Sequence, residues 1–223
     1  MLTLMRHGQA SFGAAFYDRL SPLGMAQARA AGAFVQAQSR RFDLVCIGPR
    51  ERHRDTAQGL IAGWGGQPEC RPAPELDEFA DTSELLASPG SADPADGRTN
   101  ARNDVQRLLR RIGAWADGDF SLPDGPTLRE FRRRTGQWAR RQLEEDQGQG
   151  ADGGPRRTLA VTSAGVVAAV LCEVLDLPDS HFVPLVSQVR NGSFTELMLW
   201  RSRPVLVSFN GTAHLPSGLL SAI

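Results

Sequence analysis

Lysine is absent from the 223 residues, so all 25 cations of the Lys/Arg class are arginine. A GC-rich coding bias accounts for that as readily as function does. The consequence is physical in either case: an anion site in this chain must be built from arginine, histidine, backbone N–H groups and helix ends. Cysteine is scarce. Cys46, Cys70 and Cys172 are far apart and odd in number, and none sits in a C-x-x-C or Cys/His spacing. That excludes a disulfide framework and a metal site, and predicts buried, reduced thiols. Net charge is missing too, with 25 acidic residues against 25 basic ones, so the composition points to no nucleic acid and no anionic membrane as partner. No stretch approaches the roughly 18 continuous apolar residues of a membrane span. The N-terminus lacks the charged start and apolar run of a signal peptide, and the expected location is cytoplasmic. Oligomeric state cannot be read from the sequence.

What the chain does contain is enough apolar material, 41% of its residues, for a sizeable core. Leu2–Met5 and Asp43–Ile47 read as strands. Between them Ser21 is an N-cap, Pro22 suits the first helical position, and Ala26, Ala30, Ala33, Phe34 and Ala37 recur at helical spacing. Strand, helix, strand is the unit of a parallel sheet with a right-handed crossover. A helix from about Arg50 to Trp64 and a short run from Cys70 to Leu76 follow.

The middle differs. Residues 88–103 read as a loop, and Val105, Leu108, Leu109, Ile112 and Trp115 mark an amphipathic helix. Thr127 and Glu130 form a capping box for another helix, whose arginines 129, 132, 133, 134, 140 and 141 are expected on a solvated face. The sheet resumes at Thr158–Thr162, followed by an apolar helix from Val166 to Leu175. Two strands, Ser193–Trp200 and Pro204–Phe209, close the chain. The prediction is α/β: a three-layer α/β/α sandwich around a mostly parallel sheet, one domain over residues 1–223, with a helical insertion at about 80–157.

Ligands in such sheets bind beyond the carboxyl ends of the strands. Those ends collect Arg6-His7-Gly8-Gln9, then Pro49, Arg50, Arg52 and Arg54, then Leu76-Asp77-Glu78, then Thr162-Ser163-Ala164-Gly165. Guanidinium forks and a helix N-terminus suit a phosphate. A histidine beside them can attack phosphorus, and a carboxyl can protonate the leaving oxygen.

These stretches, with Leu20-Ser-Pro-Leu-Gly24, Gln27-Ala28, Thr56-Ala57, Asn191-Gly-Ser193 and Asn210-x-x-x-His214, resemble the histidine phosphatase superfamily, which also holds the cofactor-dependent phosphoglycerate mutases. The resemblance runs in order over nearly the whole chain. It implies a phosphomonoester hydrolase working through a phosphohistidine, with mutase activity less expected. His7 would be the nucleophile. Glu78 would be the general acid and then the base, with Glu75 and Asp77 as rival acids and Asp81 and Glu84 solvated. Arg6, Arg52, Ser163 and Gln9 would hold the phosphoryl group. No cofactor and no metal are implied, and the partner is a phosphorylated small molecule, with a phosphoprotein as the lesser candidate.

The chain departs from that pattern in two places. Ser163 stands where the family's second pocket histidine belongs, and Ala10 and Gly13 replace positions that usually help to hold the phosphate. Losing that histidine is expected to cost about 10²–10³ in rate, by analogy with removing one transition-state donor. A second reading follows: a degenerate member that binds phosphate or a phosphoester without turnover. A third has the helical insertion bind a partner beside a vestigial pocket. Ser163 is expected both to cap its helix and to meet the phosphate. His53, on a helical spacing that turns it away from Arg52, is not expected in the pocket. His181 has no readable place, and His214 is expected to tie down the C-terminal segment.

Overall fold

The structure, a computed structural model, describes residues 1–11, 18–87 and 101–221. Six strands form one sheet: β1 (Leu2–Arg6), β2 (Leu44–Ile47), β3 (Glu69–Pro72), β4 (Thr158–Thr162), β5 (Phe194–Trp200) and β6 (Arg203–Gly211). Their order is β3-β2-β4-β1-β5-β6. The first four in that order run parallel, while β5 and β6 are antiparallel to their neighbours. Arg201 and Ser202 turn the last hairpin with φ of 49° and 62°, the left-handed pair that a tight hairpin turn needs.

Helices α1 (Pro22–Ala37) and α2 (Glu51–Trp64) cover one face of the sheet. Ser21 caps α1 by accepting from Gly24 N at 3.1 Å. Met5, Val45, Leu159 and Val161 point to these helices and pack on Ala31, Val35, Ala57 and Leu60. Leu2, Leu4, Leu44, Cys46 and Ala160 point to the other face, as the two-residue period of a strand requires. That face is covered by α5 (Leu128–Glu145) and α6 (Ala164–Val174), with α4 (Ala101–Ala116) and α7 (Phe182–Gln188) beside them. The capping box of Thr127 and Glu130 forms as predicted. A short helix, α3 (Thr82–Ala87), was not foreseen, and most of the expected 88–103 loop lies outside the described residues.

Two expectations fail on burial. Cys70 is exposed, whereas burial pushes the Cys46 thiol up to about 12 and the Cys172 thiol to about 11. The arginines of α5 are not uniformly solvated either. Arg132 donates to Cys172 O and Leu177 O, both at 2.9 Å, and Arg134 donates to Asp77 O at 2.6 Å. Their long apolar stems let them cross the helix surface to reach backbone carbonyl groups of neighbouring segments.

An aromatic cluster joins α4, α5 and α7 to the segment after β3. Phe79 stacks on Trp115 with ring centroids 4.0 Å apart, and Phe131 and Phe182 meet Phe79 edge-on at 5.3 Å and 6.1 Å. Phe131 and Phe182 are fully buried. Truncating Phe131 to alanine is predicted to cost about 3–5 kcal/mol, read as a lowered urea midpoint. A loss under about 1 kcal/mol would show that the cluster does not hold these helices.

Candidate active site

The parallel register sets the strand ends level. Arg6 pairs with Thr162, and Ile47 pairs with both Val161 and Pro72. The backbone continues the ladder one step further: His7 N donates to Thr162 O at 2.8 Å, Gly48 N to Val161 O at 3.1 Å and Ala73 N to Ile47 O at 2.9 Å. Residues 7, 48, 73 and 163 therefore leave the sheet together. A cleft opens above them, lined by Arg6, His7, Arg52, Glu78, Ser163, Ala164 and Gly165. Its other wall is apolar, from Phe79, Leu85, Leu108, Ile112 and Val186.

His7 is buried and its backbone is clamped from both sides. Gly8 N donates to Thr56 Oγ1 at 3.0 Å, and Asn191 Nδ2 donates to His7 O at 3.3 Å. The ring's Nδ1 lies 2.7 Å from Gly8 O. A carbonyl can only accept, so Nδ1 carries the proton and Nε2 keeps a lone pair. Burial lowers the His7 pKa well below its ordinary value, and Arg52, Arg6 and His53 add to the shift. The imidazole is neutral at neutral pH, the state a nucleophile requires.

Arg52 reaches Asp18 Oδ1 at 2.7 Å, and Arg6 donates to Val189 O at 2.5 Å. Glu78 is partly buried, with its carboxyl over the start of α6. Phe79 N and Gly165 N donate to it at 3.2 Å and 3.3 Å. Burial raises its pKa above the usual carboxylate range, against the pull of Arg52 and these two N–H groups. The bare Gly165 leaves room for the carboxyl in this position: a Cβ there would lie 2.2 Å from Glu78 Oε1 and displace it. The rival carboxylates are engaged elsewhere. Asp77 accepts from Arg50 Nε at 2.5 Å, Glu75 from Arg141 at 3.4 Å, and Asp81, expected in solvent, pairs with Arg50.

His53 does not line the cleft, in keeping with the helical spacing, but it is buried beside it. Arg52 and His53 are both buried, and the His53 ring lies 5.6 Å from the His7 ring, centroid to centroid. Residues 52 and 53 begin α2 just beneath the cleft, so the helix end is wrapped on two sides and adjacent side chains can both turn inward. His53 Nε2 is 2.8 Å from Ser163 Oγ. Ser163 occupies the N-cap position of α6, yet its side chain makes no capping bond; the hydroxyl is directed to His53 instead. Gln9 is not among the residues lining the cleft. Its Oε1 accepts from Ser21 Oγ at 2.9 Å, which ties the end of β1 to the cap of α1. His181 is exposed, and His214 meets Gly192 O at 2.9 Å while stacking on Phe194. Gly13 lies outside the described residues.

Thr56 and Asn191 belonged to the family-like stretches, but no role for them was readable. Asp18 gave no signal, because its partners, Arg52 and the Glu51 N–H that donates to its Oδ2 at 2.8 Å, are distant in sequence.

Burial also lowers the pKa of His53 well below the ordinary 6.5, with Arg52 and Arg50 adding to the effect. In the unfolded chain both histidines take up protons as pH drops through about 6.5, while the folded state does not. Stability is therefore predicted to be full well above about pH 6.5 and to fall progressively as the pH drops through and below it, toward the much lower folded-state pKa values, measured by urea midpoints. A His53→Gln variant should show a shallower fall. Equal slopes in the two proteins would contradict neutral burial of His53.

Comparison with known proteins agrees with this fold. The family model described as histidine phosphatase superfamily (branch 1) matches residues 2–212. No curated protein matches the sequence. Among solved structures, mycobacterial glucosyl-3-phosphoglycerate phosphatase is 24% identical with a TM-score of 0.64, covering 95% of this chain and 99% of its own. Phosphoserine phosphatase from Entamoeba histolytica, in complex with 3-phosphoglyceric acid, is 18% identical with a TM-score of 0.68, over 96% and 98%. A putative alpha-ribazole-5'-P phosphatase from Escherichia coli is 18% identical with a TM-score of 0.64, over 94% and 96%. At such identities the solved structures speak for the fold, and the family model speaks for descent: the chain belongs to the histidine phosphatase superfamily.

Proposed function

We propose that this protein is a phosphomonoester hydrolase that turns over through a phosphohistidine at His7. The observation that carries the reading is the neutral His7 ring, with Nδ1 committed to Gly8 O, in one cleft with two arginines and a carboxyl of raised pKa. Nε2 attacks phosphorus; the N–P bond forms as the ester P–O bond breaks. Glu78 gives its proton to the departing alkoxide oxygen. The resulting carboxylate then takes a proton from water, whose oxygen attacks phosphorus and releases inorganic phosphate from His7.

Arg6 and Arg52 face the charge that builds on the phosphoryl oxygens, and the first N–H groups of α6 add to them. This clamp is made of side chains and backbone, and the mechanism calls on no metal or cofactor. The apolar wall of Leu85, Leu108, Ile112 and Val186 is placed to meet the carbon portion of a phosphorylated small molecule. Mutase chemistry is the weaker fit. It requires an intermediate that outlasts water, and the carboxyl that would activate water stands in the same cleft.

Hydrolysis of p-nitrophenyl phosphate tests the reading. Wild-type protein should release p-nitrophenol, and His7→Ala should reduce the rate to background; equal rates would refute it. Phosphate or vanadate binding without any turnover would instead support a binding protein.

Glu78→Gln separates the roles further. The predicted loss is about 10²–10⁴ in kcat/KM for an alkyl phosphate, whose leaving oxygen needs a proton. It should be much smaller for p-nitrophenyl phosphate, whose phenolate leaves unaided. The pH profile should fall on the alkaline side as Glu78 ionises and on the acid side only well below pH 6.5 as His7 protonates. Equal losses for both esters would remove Glu78 as the acid.

A further inference from the structure

Ser163 lines the cleft and His53 does not. The His53 ring lies directly behind the serine, fully buried, with Nε2 at 2.8 Å from Oγ. A buried imidazole normally has both nitrogens satisfied. Here Nδ1 makes no well-aligned hydrogen bond. It faces the backbone of Gly48, so closely that a Cβ on residue 48 would lie 2.3 Å from it. The Gly48 N–H is already given to Val161 O, and the contact with Gly48 favours the protonated ring. Residue 48 is held bare by the ring, and the ring is aimed at a hydroxyl that lines the cleft.

We propose that His53 and Ser163 form a relay for the phosphoryl oxyanion, in which His53 takes up a proton as the anion enters and Ser163 passes the hydrogen bond on. In the empty cleft Ser163 donates its hydroxyl proton to the neutral Nε2. When the phosphoryl group arrives, Nε2 gains one proton from bulk water. Nε2–H then donates to Ser163 Oγ, and the Ser163 O–H rotates to donate to a phosphoryl oxygen. No covalent bond changes, and one proton is taken from water for each anion bound. The inference rests on the phosphoryl-binding reading of the cleft and assigns His53 as a positioning residue that acts through Ser163.

The charges around the ring explain why the anion is the trigger. Arg50, Arg52 and Arg54 approach His53 from its own helix, and His7 approaches from β1. Arg50 is largely answered by Asp77 and Asp81. Glu78 lines the same cleft and is itself held toward its neutral form by burial. With the cleft empty, positive charge surrounds the ring and opposes protonation. A phosphoryl dianion reverses the sign of the local field in a site where screening by water is weak.

The chain has 4 histidines, so imidazole ¹⁵N spectra are assignable by single substitutions. Inorganic phosphate is the probe, added at pH 7 to the full-length protein. The expected result is that saturating phosphate moves the His53 nitrogens from a neutral to an imidazolium pattern, and that Ser163→Ala suppresses the change. Phosphate affinity should drop roughly ten- to hundredfold in His53→Gln and in Ser163→Ala, and the double variant should lose little more than either single one. A His53 ring that stays neutral under saturating phosphate overturns the relay, as do additive losses or the absence of phosphate binding. Thermal melts of each variant show whether the protein is folded, and the wild-type spectrum alone decides the protonation. Turnover is scored separately. A neutral His53 in an active hydrolase sinks the relay alone. Phosphate-driven protonation without hydrolysis sinks the hydrolase reading alone.

Discussion

The backbone hydrogen bonds from His7 to Thr162 O and from Gly48 to Val161 O are the constraint on which the site depends. They extend the parallel ladder just past the ends of β1, β2 and β4, so three chain segments leave the sheet at one height. A slip of one register step would turn His7 to the opposite face and separate it from Ser163. The buried residues on both faces of these strands prevent such a slip, because Leu2, Leu4 and Met5 each fit only one core. Apolar packing on the two faces of the sheet thus fixes a polar arrangement at its edge.

The arrangement concentrates cations and then removes water from them. Guanidinium groups keep their protons in any such setting, so the adjustment falls on the groups that can titrate. His7 and His53 remain neutral, and Glu78 is held toward its protonated form. Burial acts on all three in the same sense, toward the neutral form, while the cations reinforce it at the histidines and oppose it at Glu78. The absence of lysine has a place here. A planar guanidinium offers donors to more than one acceptor, and Arg52 gives one of its own to Asp18.

Much of the fold was legible because it follows from periodicity and caps. The Ser21 and Thr127 caps, the first strands and the final hairpin all depend on neighbours in sequence. The strand-end rule brought together His7, Arg52, Glu78 and Ser163, since each ends a strand or begins the helix after one. Gln9 and His53 show where that reasoning stops. Both adjoin cleft residues in sequence, and what separates them is the partner each finds, Ser21 for Gln9 and Ser163 for His53. Such pairings are set by how helices seat on the sheet. Likewise the arginines of α5 read as a solvated row, because their acceptors are carbonyl groups far away in sequence.

The two halves of the cleft have different foundations. His7 and Ser163 are fixed by the sheet, whereas Glu78 adjoins Phe79, whose ring is held by helices inserted between β3 and β4. The same insertion supplies Leu85, Leu108 and Ile112 to the wall. On the proposed hydrolase reading, grip on the phosphoryl group and acceptance of the rest of the substrate are thereby separable traits. Remodelling the inserted helices can change which alcohol is accommodated, and how readily it is protonated, while the strand ends stay untouched. On that reading the fold is modular at its cleft: strand ends that would form a constant anion socket, and an exchangeable cover that would also carry the acid.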